Sequence, residues 1–444
     1  MNNTTCNLME GSIIKSILLF SIPLFLSNLF QQFYNTVDAY FVGNYLDKIS
    51  FAAVGVCSPI MNLIIGLFVG LSAGASVVVS QGYGDGSKKR LTESIQCVLL
   101  IMFGISMIIT IVGLLFSNSL LNMMNTPEEL LNQAKQYLII NFLGITFTII
   151  YNFISAILRA CGDGKRPFYF LIISSVIHIL LNYVFILWIP LGVSGVAIST
   201  VLSQGCSALM AVYVLIKHYK KYIFQRLPFN YKKMNQTLKI ALPAGLQQCI
   251  GAISNIVVQT YINSFGAIVV AGYSAAIKID SFVVLPILTL NIAITIFVSQ
   301  NLGANKKERV KEGIIKSLIM AVVTMIVLSI ILYIFGNQLL SLFNKDFQVI
   351  ESGRLLQVIF LPYYFVLAFV QILSGALRGQ GVSLTPSIII TTNFLVIRWI
   401  TLIISNLYIH TINSIYYSQP ITWISCALMM ILTYFYLKKK QKII

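Results

Sequence analysis

The stretch "QQFYNTVDAYFVG" (31–43) carries Gln31, Tyr34, Asn35 and Asp38, spaced three and four apart. That spacing draws one polar stripe along one face of a helix. The stretch lies in an apolar segment long enough to cross a bilayer, and a carboxylate at a helix centre there costs about 2.5–3.5 kcal/mol on insertion scales. Such a stripe faces a bundle interior or a wet cavity, not lipid. A carboxylate held there can join other oxygens around a small hard cation, or take up and release a proton. The plainer reading, a hydrogen-bond network that only glues helices, has equal claim for Gln31, Tyr34 and Asn35 and less for Asp38.

Partners of the right kind occur further along. "FLIISSVIHILLNYVFILWIP" places His178 and Asn182 four apart on one helical face, and "GVSGVAISTVLSQ" supplies Ser199 and Thr200. Asp38, Asn182 and Thr200 each lie five or six residues from the outer end of their segment. At 1.5 Å per residue that is roughly 8–10 Å of depth for each. A carboxylate, an amide, a hydroxyl and an imidazole therefore fall near one level. Two chemistries remain open: a Na+ site at Asp38, Asn182 and Thr200, or a proton-binding Asp38 with hydrogen-bond partners. His178 can itself titrate near neutral pH, which keeps H+ in play. As a lone intramembrane imidazole it could equally be a packing donor.

The C-terminal half has its own charges. Lys278 and Asp280 fall near the middle of one apolar segment, and Arg398 is similarly deep in another. Two residues apart on a helix is about 200°, so Lys278 and Asp280 do not face each other. Each expects a partner elsewhere or a wet cavity. We take Lys278 and Asp280, with Gln31, Tyr34 and Asn35, as candidate substrate or cavity contacts. A structural ion pair between Asp280 and a basic residue is the alternative.

These side chains need elements to hold them. The chain has 444 residues, 57% hydrophobic and 10% charged, against about 25% charged in soluble proteins. Apolar runs predict twelve membrane spans, at 14–43, 51–80, 93–116, 131–158, 167–188, 194–216, 236–264, 268–299, 312–334, 349–377, 385–408 and 414–437. The net charge of +17 is topological. With the N-terminus inside, only Lys48, Lys135, Lys345 and Arg354 fall outside and Lys278 and Arg398 fall within spans. The other Lys and Arg gather at inner ends and inner loops. This predicts both termini in the cytoplasm of a multi-pass cell-membrane protein, with the lipid bilayer rather than nucleic acid as the partner of the basic residues. The first run is too long for a cleavable signal. The seven cysteines show no paired spacing, so neither a disulfide framework nor a metal site is expected. No HExxH, GxSxG or phosphate-loop motif occurs, and no enzymatic chemistry or cofactor is expected.

The chain repeats itself. "VSQGYGDGSKKR" (79–90) matches "VSQNLGANKKER" (298–309), "FSNSLLNMMN" (116–125) matches "FGNQLLSLFN" (335–344), and "ISAILRACGDGKRP" (154–167) matches "LSGALRGQGVSLTP" (373–386). All three pairs share one offset. The fold class expected is an all-α polytopic membrane protein: two pseudo-symmetric six-helix bundles around a central cavity. The bundles are 1–216 and 234–444, joined by a basic cytoplasmic linker, 217–233. Six spans per half make the repeats parallel, an arrangement with which transporters rock one bundle against the other. Pro23 and Pro243 fall at matching places early in the first helix of each half and are candidate hinges. At the shift that aligns these prolines, Asp38 corresponds to Val258 and Asn35 to Asn255. At the offset of the three motif pairs, His178 corresponds to Ile397 and Asn182 to Thr401. The cation-type cluster is thus expected in the N-terminal bundle alone.

The chain resembles the MATE (multidrug and toxic compound extrusion) family from about residue 15 to 437. The residues that carry this are "SIPLFLSNLFQQFYNTVDAYFVGN", "LRACGDGKRP", "AGYSAAIKIDSF", "VSQNLGANKKER" and "GALRGQGVSLTP", in that order. The resemblance implies twelve helices in two lobes, and export of amphipathic, often cationic drugs in exchange for inward Na+ or H+. In similar transporters an acid in the first helix and an Asn-x-x-x-Asp pair in the fifth form a cation site. Asp38 matches the first, whereas the pair reads His178-Ile-Leu-Leu-Asn182 here and departs at both positions. Thr200 matches a hydroxyl found in some members. The acids that some members carry in the seventh and tenth helices are missing. The coupling ion is thus expected to be Na+ or H+, the substrates small-molecule drugs, and the protein monomeric. A flippase of lipid-linked oligosaccharides from the wider superfamily is the alternative, although its pyrophosphate cargo asks for more cavity Arg and Lys than Lys278 and Arg398. A channel gains little from two diverged parallel halves.

Overall fold

The computed structural model describes residues 6–444 apart from Asn125, Arg226 and His410, and of Tyr34, Asn35, Thr36 and Ala39 only the helix they belong to. Among the described residues twelve helical spans are long and apolar enough to cross a membrane. They are α1 (Ile13–Tyr45), α2 (Lys48–Gly84), α3 (Lys88–Met123), α4 (Glu128–Ala160), α5 (Lys165–Trp188), α6 (Val193–Ile223), α7 (Tyr231–Asn263), α8 (Ala267–Gly303), α9 (Lys307–Ser341), α10 (Phe347–Gly379), α11 (Leu384–Ile409) and α12 (Ile412–Lys439). Most run past the apolar stretches that announce them, because polar end residues add capped turns. Asp47 accepts from the Ser50 backbone N–H at 2.7 Å, and Ser87, Asn230 and Asp346 cap α3, α7 and α10 in the same way. The basic segment 217–233 is less of a free linker than its composition suggests. α6 continues to Ile223, and α7 begins at Tyr231.

The twelve helices form two lobes of six, and two helices cross between them. Ile13, Ile17, Phe20 and Leu24 of α1 are buried in the core of the C-terminal lobe, whereas Phe41 and Val42 pack with Ile186 and Val196 of the N-terminal lobe. α7 does the reverse. Ala241 joins the N-terminal core, and Val258 and Ile262 join the C-terminal core. Pro23 and Pro243 lie in these crossing halves, inside helices that continue past them.

The lobes are sealed at the end that carries both termini. At the α2–α7 crossing a Cβ on Gly74 would lie 2.5 Å from Ala241 Cα, and one on Gly70 would lie 2.3 Å from the Ala244 carbonyl. Only glycine allows backbones that close. Nearer the termini, Gln300 donates to the Ala160 carbonyl (2.7 Å). The segment before α1 joins this seal. Cys6 N–H bonds the Gly162 carbonyl (2.9 Å), and Arg309 binds the carbonyls of Leu8, Glu10 and Gly11. Asn28 to Thr289 (3.1 Å) and Cys249 to the Leu63 carbonyl (3.6 Å) close the middle. Beyond that level, no inter-lobe ion pair occurs among the described residues.

Candidate functional site

The far half of α1 leans on α5, and the far ends of α5 and α6 are held together by close backbone contact. A Cβ on Gly195 would lie 2.6 Å from the Phe185 carbonyl. α5 ends in a π-helical turn at Val184–Trp188, a wider turn that inserts a residue and often marks functional sites. Two residues before it, Asn182 Nδ2 donates to Asp38 Oδ1 at 3.0 Å. His178 Nε2 stands 2.9 Å from the same oxygen, 3.3 Å from Asn182 Nδ2 and 3.4 Å from Thr200 Oγ1. The short contact assigns a proton to Nε2, donated to the carboxylate. Thr200 also donates to the Val196 carbonyl (3.0 Å), so its lone pairs face the cluster.

Burial grades these groups. His178 and Asn182 are wholly buried, while the Asp38 side chain keeps 20% exposure. The Asn182 side-chain oxygen takes no hydrogen bond among the described residues. An unsatisfied buried acceptor normally costs 1–3 kcal/mol, and here it sits beside a carboxylate. Asp38, Asn182, His178 and Thr200, separate in the sequence, are thus one cluster. Gln31 is half-buried two turns along α1 and does not bond it. Tyr34 and Asn35, the middle of the stripe, lie outside the described residues. Sequence reasoning passed over Tyr137 on α4, which packs against Phe41, Val42, Ile186 and Val196 and whose carbonyl accepts from Asn141 Nδ2 (2.9 Å). Its signal was a second polar pair four apart, Tyr137 and Asn141, in an apolar span.

The C-terminal lobe carries a different arrangement at the matching place. The inward face of α5 reads Pro167, Phe170, Leu171, Ser174, His178, Asn182, and that of α11 reads Pro386, Ile389, Ile390, Asn393, Arg398, Leu402. The two series keep step until Asn393. A π-helical turn at Asn393–Ile397 then inserts one residue. This corrects the correspondence of His178 with Ile397 and of Asn182 with Thr401. The structural counterparts are Arg398 and Leu402, a cation and an apolar residue.

Arg398 is 3% exposed. Its Nη1 donates to Ser254 Oγ and Asn255 Oδ1, both at 3.1 Å, while Nε has no partner among the described residues. It borders a cavity of about 220 Å³ whose walls all come from C-terminal helices, among them Asn255 and Val258 on α7 and Asp280 on α8. Asp280 accepts a short hydrogen bond from Tyr364, and among the described residues no salt bridge pairs it with a base, so the alternative of a structural ion pair is not what holds it. Pro286, which lacks an N–H, interrupts α8 at Val284 one turn beyond Asp280. Lys278 corrects a second expectation. It is exposed, turned away from the cavity, with its ammonium 5.7 Å from the centre of the Phe343 ring. A long side chain that carries its charge outward is behaving as a snorkelling lysine, not a cavity contact. Among the described residues no group of three His, Cys, Asp or Glu could hold a transition metal.

Two six-helix lobes, sealed at one end and each holding a polar cluster within its apolar spans, define a membrane transporter. The profile of the MatE family matches residues 23–184 and 243–404, once per lobe, each match starting at one of the two crossing-helix prolines. The chain is 32% identical over 396 residues to the probable multidrug resistance protein YpnP of Bacillus subtilis, covering 88% of each chain. It is 30% identical over 389 residues to the probable multidrug resistance protein YoeA of the same organism, covering 86% of this chain and 84% of that one. Among solved structures it is similar in fold to a multidrug resistance MATE transporter in an outward-facing conformation, with a TM-score of 0.89 at 22% identity over 99% of this chain and 100% of the other. The chain belongs to the MATE family of multidrug efflux transporters.

Proposed function

We propose that this protein exports amphipathic, cationic drugs from the cytoplasm across the cell membrane, in exchange for inward Na+ or H+ bound at Asp38. The observation that carries the reading is the Asp38 cluster. One carboxylate, 20% exposed, lies within hydrogen-bond reach of a buried amide and a buried imidazole beside an unsatisfied amide oxygen. A bound Na+ would draw on Asp38, the Asn182 oxygen and Thr200, while a proton would go to Asp38. Either neutralises the one formal negative charge of the cluster and removes the reason for Asp38 to hold His178. With both termini cytoplasmic, as the positive residues indicate, the sealed end is the inner one and the cluster is reached from outside. Loading it can then be coupled to rearrangement of α1, whose other half is anchored in the opposite lobe, with Pro23 and Pro243 as hinges. Residues 1–216 and 234–444 are the two moving bodies of this reading.

A flippase for lipid-linked pyrophosphates would line its cavity with several cations. Arg398 is the one Lys or Arg among the residues lining the C-terminal cavity, which supports the drug exporter over that alternative. The test is purified protein in liposomes loaded with a fluorescent cationic dye. Dye movement should follow an imposed ion gradient, and replacing Na+ by choline at constant pH should stop it if Na+ is the coupling ion and leave it intact if H+ is. Dye movement that ignores both gradients refutes the proposal.

A further inference from the structure

The C-terminal cavity holds two opposite charges that do not meet. Asp280 and Arg398 both line it, yet form no salt bridge. Tyr273 lines the same cavity. Each charge is held from behind. Tyr364 donates to one Asp280 oxygen, and the other takes no protein donor among the described residues. Ser254 and Asn255 hold one end of the Arg398 guanidinium, and among the described residues its Nε has no hydrogen-bond partner. Aromatic packing keeps these supports in place. Tyr364 lies against Trp423, with ring centres 5.7 Å apart, and Tyr273 stacks on Tyr416 at 6.3 Å and 14°.

Arg398 is buried and Asp280 half-buried, and two such charges kept apart across a cavity carry a desolvation penalty that their mutual attraction does not offset. A guest with a cation at one end and an anion at the other would satisfy both at once. A guest with a single charge would leave one uncompensated. The space suits a small molecule, since an apolar cavity of about 150 Å³ takes a benzene and this one is about 220 Å³. The stacked tyrosines and Ile277 offer it a flat apolar wall.

We propose that the C-terminal lobe contains a binding site for a small zwitterion whose charges are separated by a ring or short chain, its cationic end on Asp280 and its anionic end on Arg398. The site lies in the lobe that lacks the Asp38 cluster. It goes beyond the proposed export function and does not depend on which ion drives it.

The experiment is calorimetric titration of the full-length protein in nanodiscs, with no ion gradient, using 4-(aminomethyl)benzoate, benzylamine and benzoate. The zwitterion should bind, and each single-charge analogue should bind at least tenfold more weakly. Asp280→Asn should cost the zwitterion at least tenfold and spare benzoate. Arg398→Gln should cost both. Because Arg398 also supports α7, Ile277→Phe serves as a second variant, which narrows the cavity without touching either charge and should abolish binding. No binding of the zwitterion to the wild-type protein, equal binding of all three compounds, or undiminished affinity in Ile277→Phe overturns the proposal. Since nothing here is transported, its failure is distinct from a failure of ion-coupled export in liposomes.

Discussion

At the same inward position of the fifth helix of each lobe the chain places a nitrogen base, His178 in one and Arg398 in the other, and beside each the first helix offers an acceptor. In the N-terminal lobe that acceptor is the carboxylate of Asp38, 2.9 Å away. In the C-terminal lobe the Asp38 position is Val258, and the neutral Asn255 side chain and Ser254 take the guanidinium instead. Arg is permanently charged at any physiological pH, whereas His is not. One lobe therefore joins a carboxylate to a base that can be neutral, an arrangement a visiting cation can compete with. The other fixes a charge that no pH change releases, and brings its carboxylate from a different helix. On the proposed reading, two copies of one bundle have become a site that can exchange ions and a site that cannot.

The largest expected effect separates the two carboxylates. Asp38→Asn should abolish gradient-driven dye export in liposomes, a loss of a hundredfold or more, while expression and dye binding survive. Asp280→Asn should leave measurable gradient-driven export. Full transport by Asp38→Asn, or equal loss in both, would erase the distinction between the lobes.

A sharper cut exchanges the bases. His178→Arg gives the N-terminal lobe the permanent cation of its partner. The guanidinium would hold Asp38 as a permanent ion pair that a visiting cation must displace. Export should fall by about one to two orders of magnitude, with the protein still folded because the charges match. His178→Asn keeps a polar side chain without a titrating one and should retain most activity with a displaced pH profile. An unchanged profile assigns His178 to packing alone. Val258→Asp makes the converse change, placing a carboxylate where the C-terminal lobe has none, in reach of Arg398. Combined with Asp38→Asn it should not restore coupling, since the guanidinium does not leave. Recovery of ion-driven export would show that position alone, not the base, makes the site.

The repeat and its hydropathy made the twelve helices and the two lobes legible, because a membrane span declares itself by length and because three motif pairs share one offset. The cluster was legible too, for a reason particular to membranes: Asp38, Asn182 and Thr200 lie at comparable distances from helix ends, and depth along parallel helices is a coordinate that sequence carries. What sequence could not carry was rotation. The π-helical turn at Asn393–Ile397 is a matter of which carbonyl a backbone N–H chooses, and one such choice turned the apparent counterpart of His178 from Ile397 into Arg398. The outward turn of Lys278 escaped for the same reason, since an intramembrane lysine and a snorkelling one share a sequence position. The exchange of half-helices at α1 and α7 is a tertiary choice of which core an apolar face enters. The matching prolines lie in those halves, yet nothing local to Pro23 or Pro243 announces the crossing.

The smallest effect asks which ion the N-terminal site was built for. Thr200 Oγ1 stands 3.4 Å from His178 Nε2 and donates to its own helix, so it adds a lone pair to the cluster rather than a needed hydrogen bond. Thr200→Val removes that oxygen, keeps the side chain's shape, and costs little in folding. If Na+ visits Asp38, one ligand of several is lost, and the Na+ concentration for half-maximal export should rise about three- to tenfold, since a hydrogen-bond-sized contribution of about 1 kcal/mol is at stake. If a proton does, the carboxylate is titrated without help from Thr200, and the dependence on pH should hardly move. The same substitution read against both ions therefore distinguishes a coordination shell from a lone acid. The C-terminal lobe supplies the reference, because Ser418→Ala, a hydroxyl at the edge of the zwitterion cavity, should shift neither dependence.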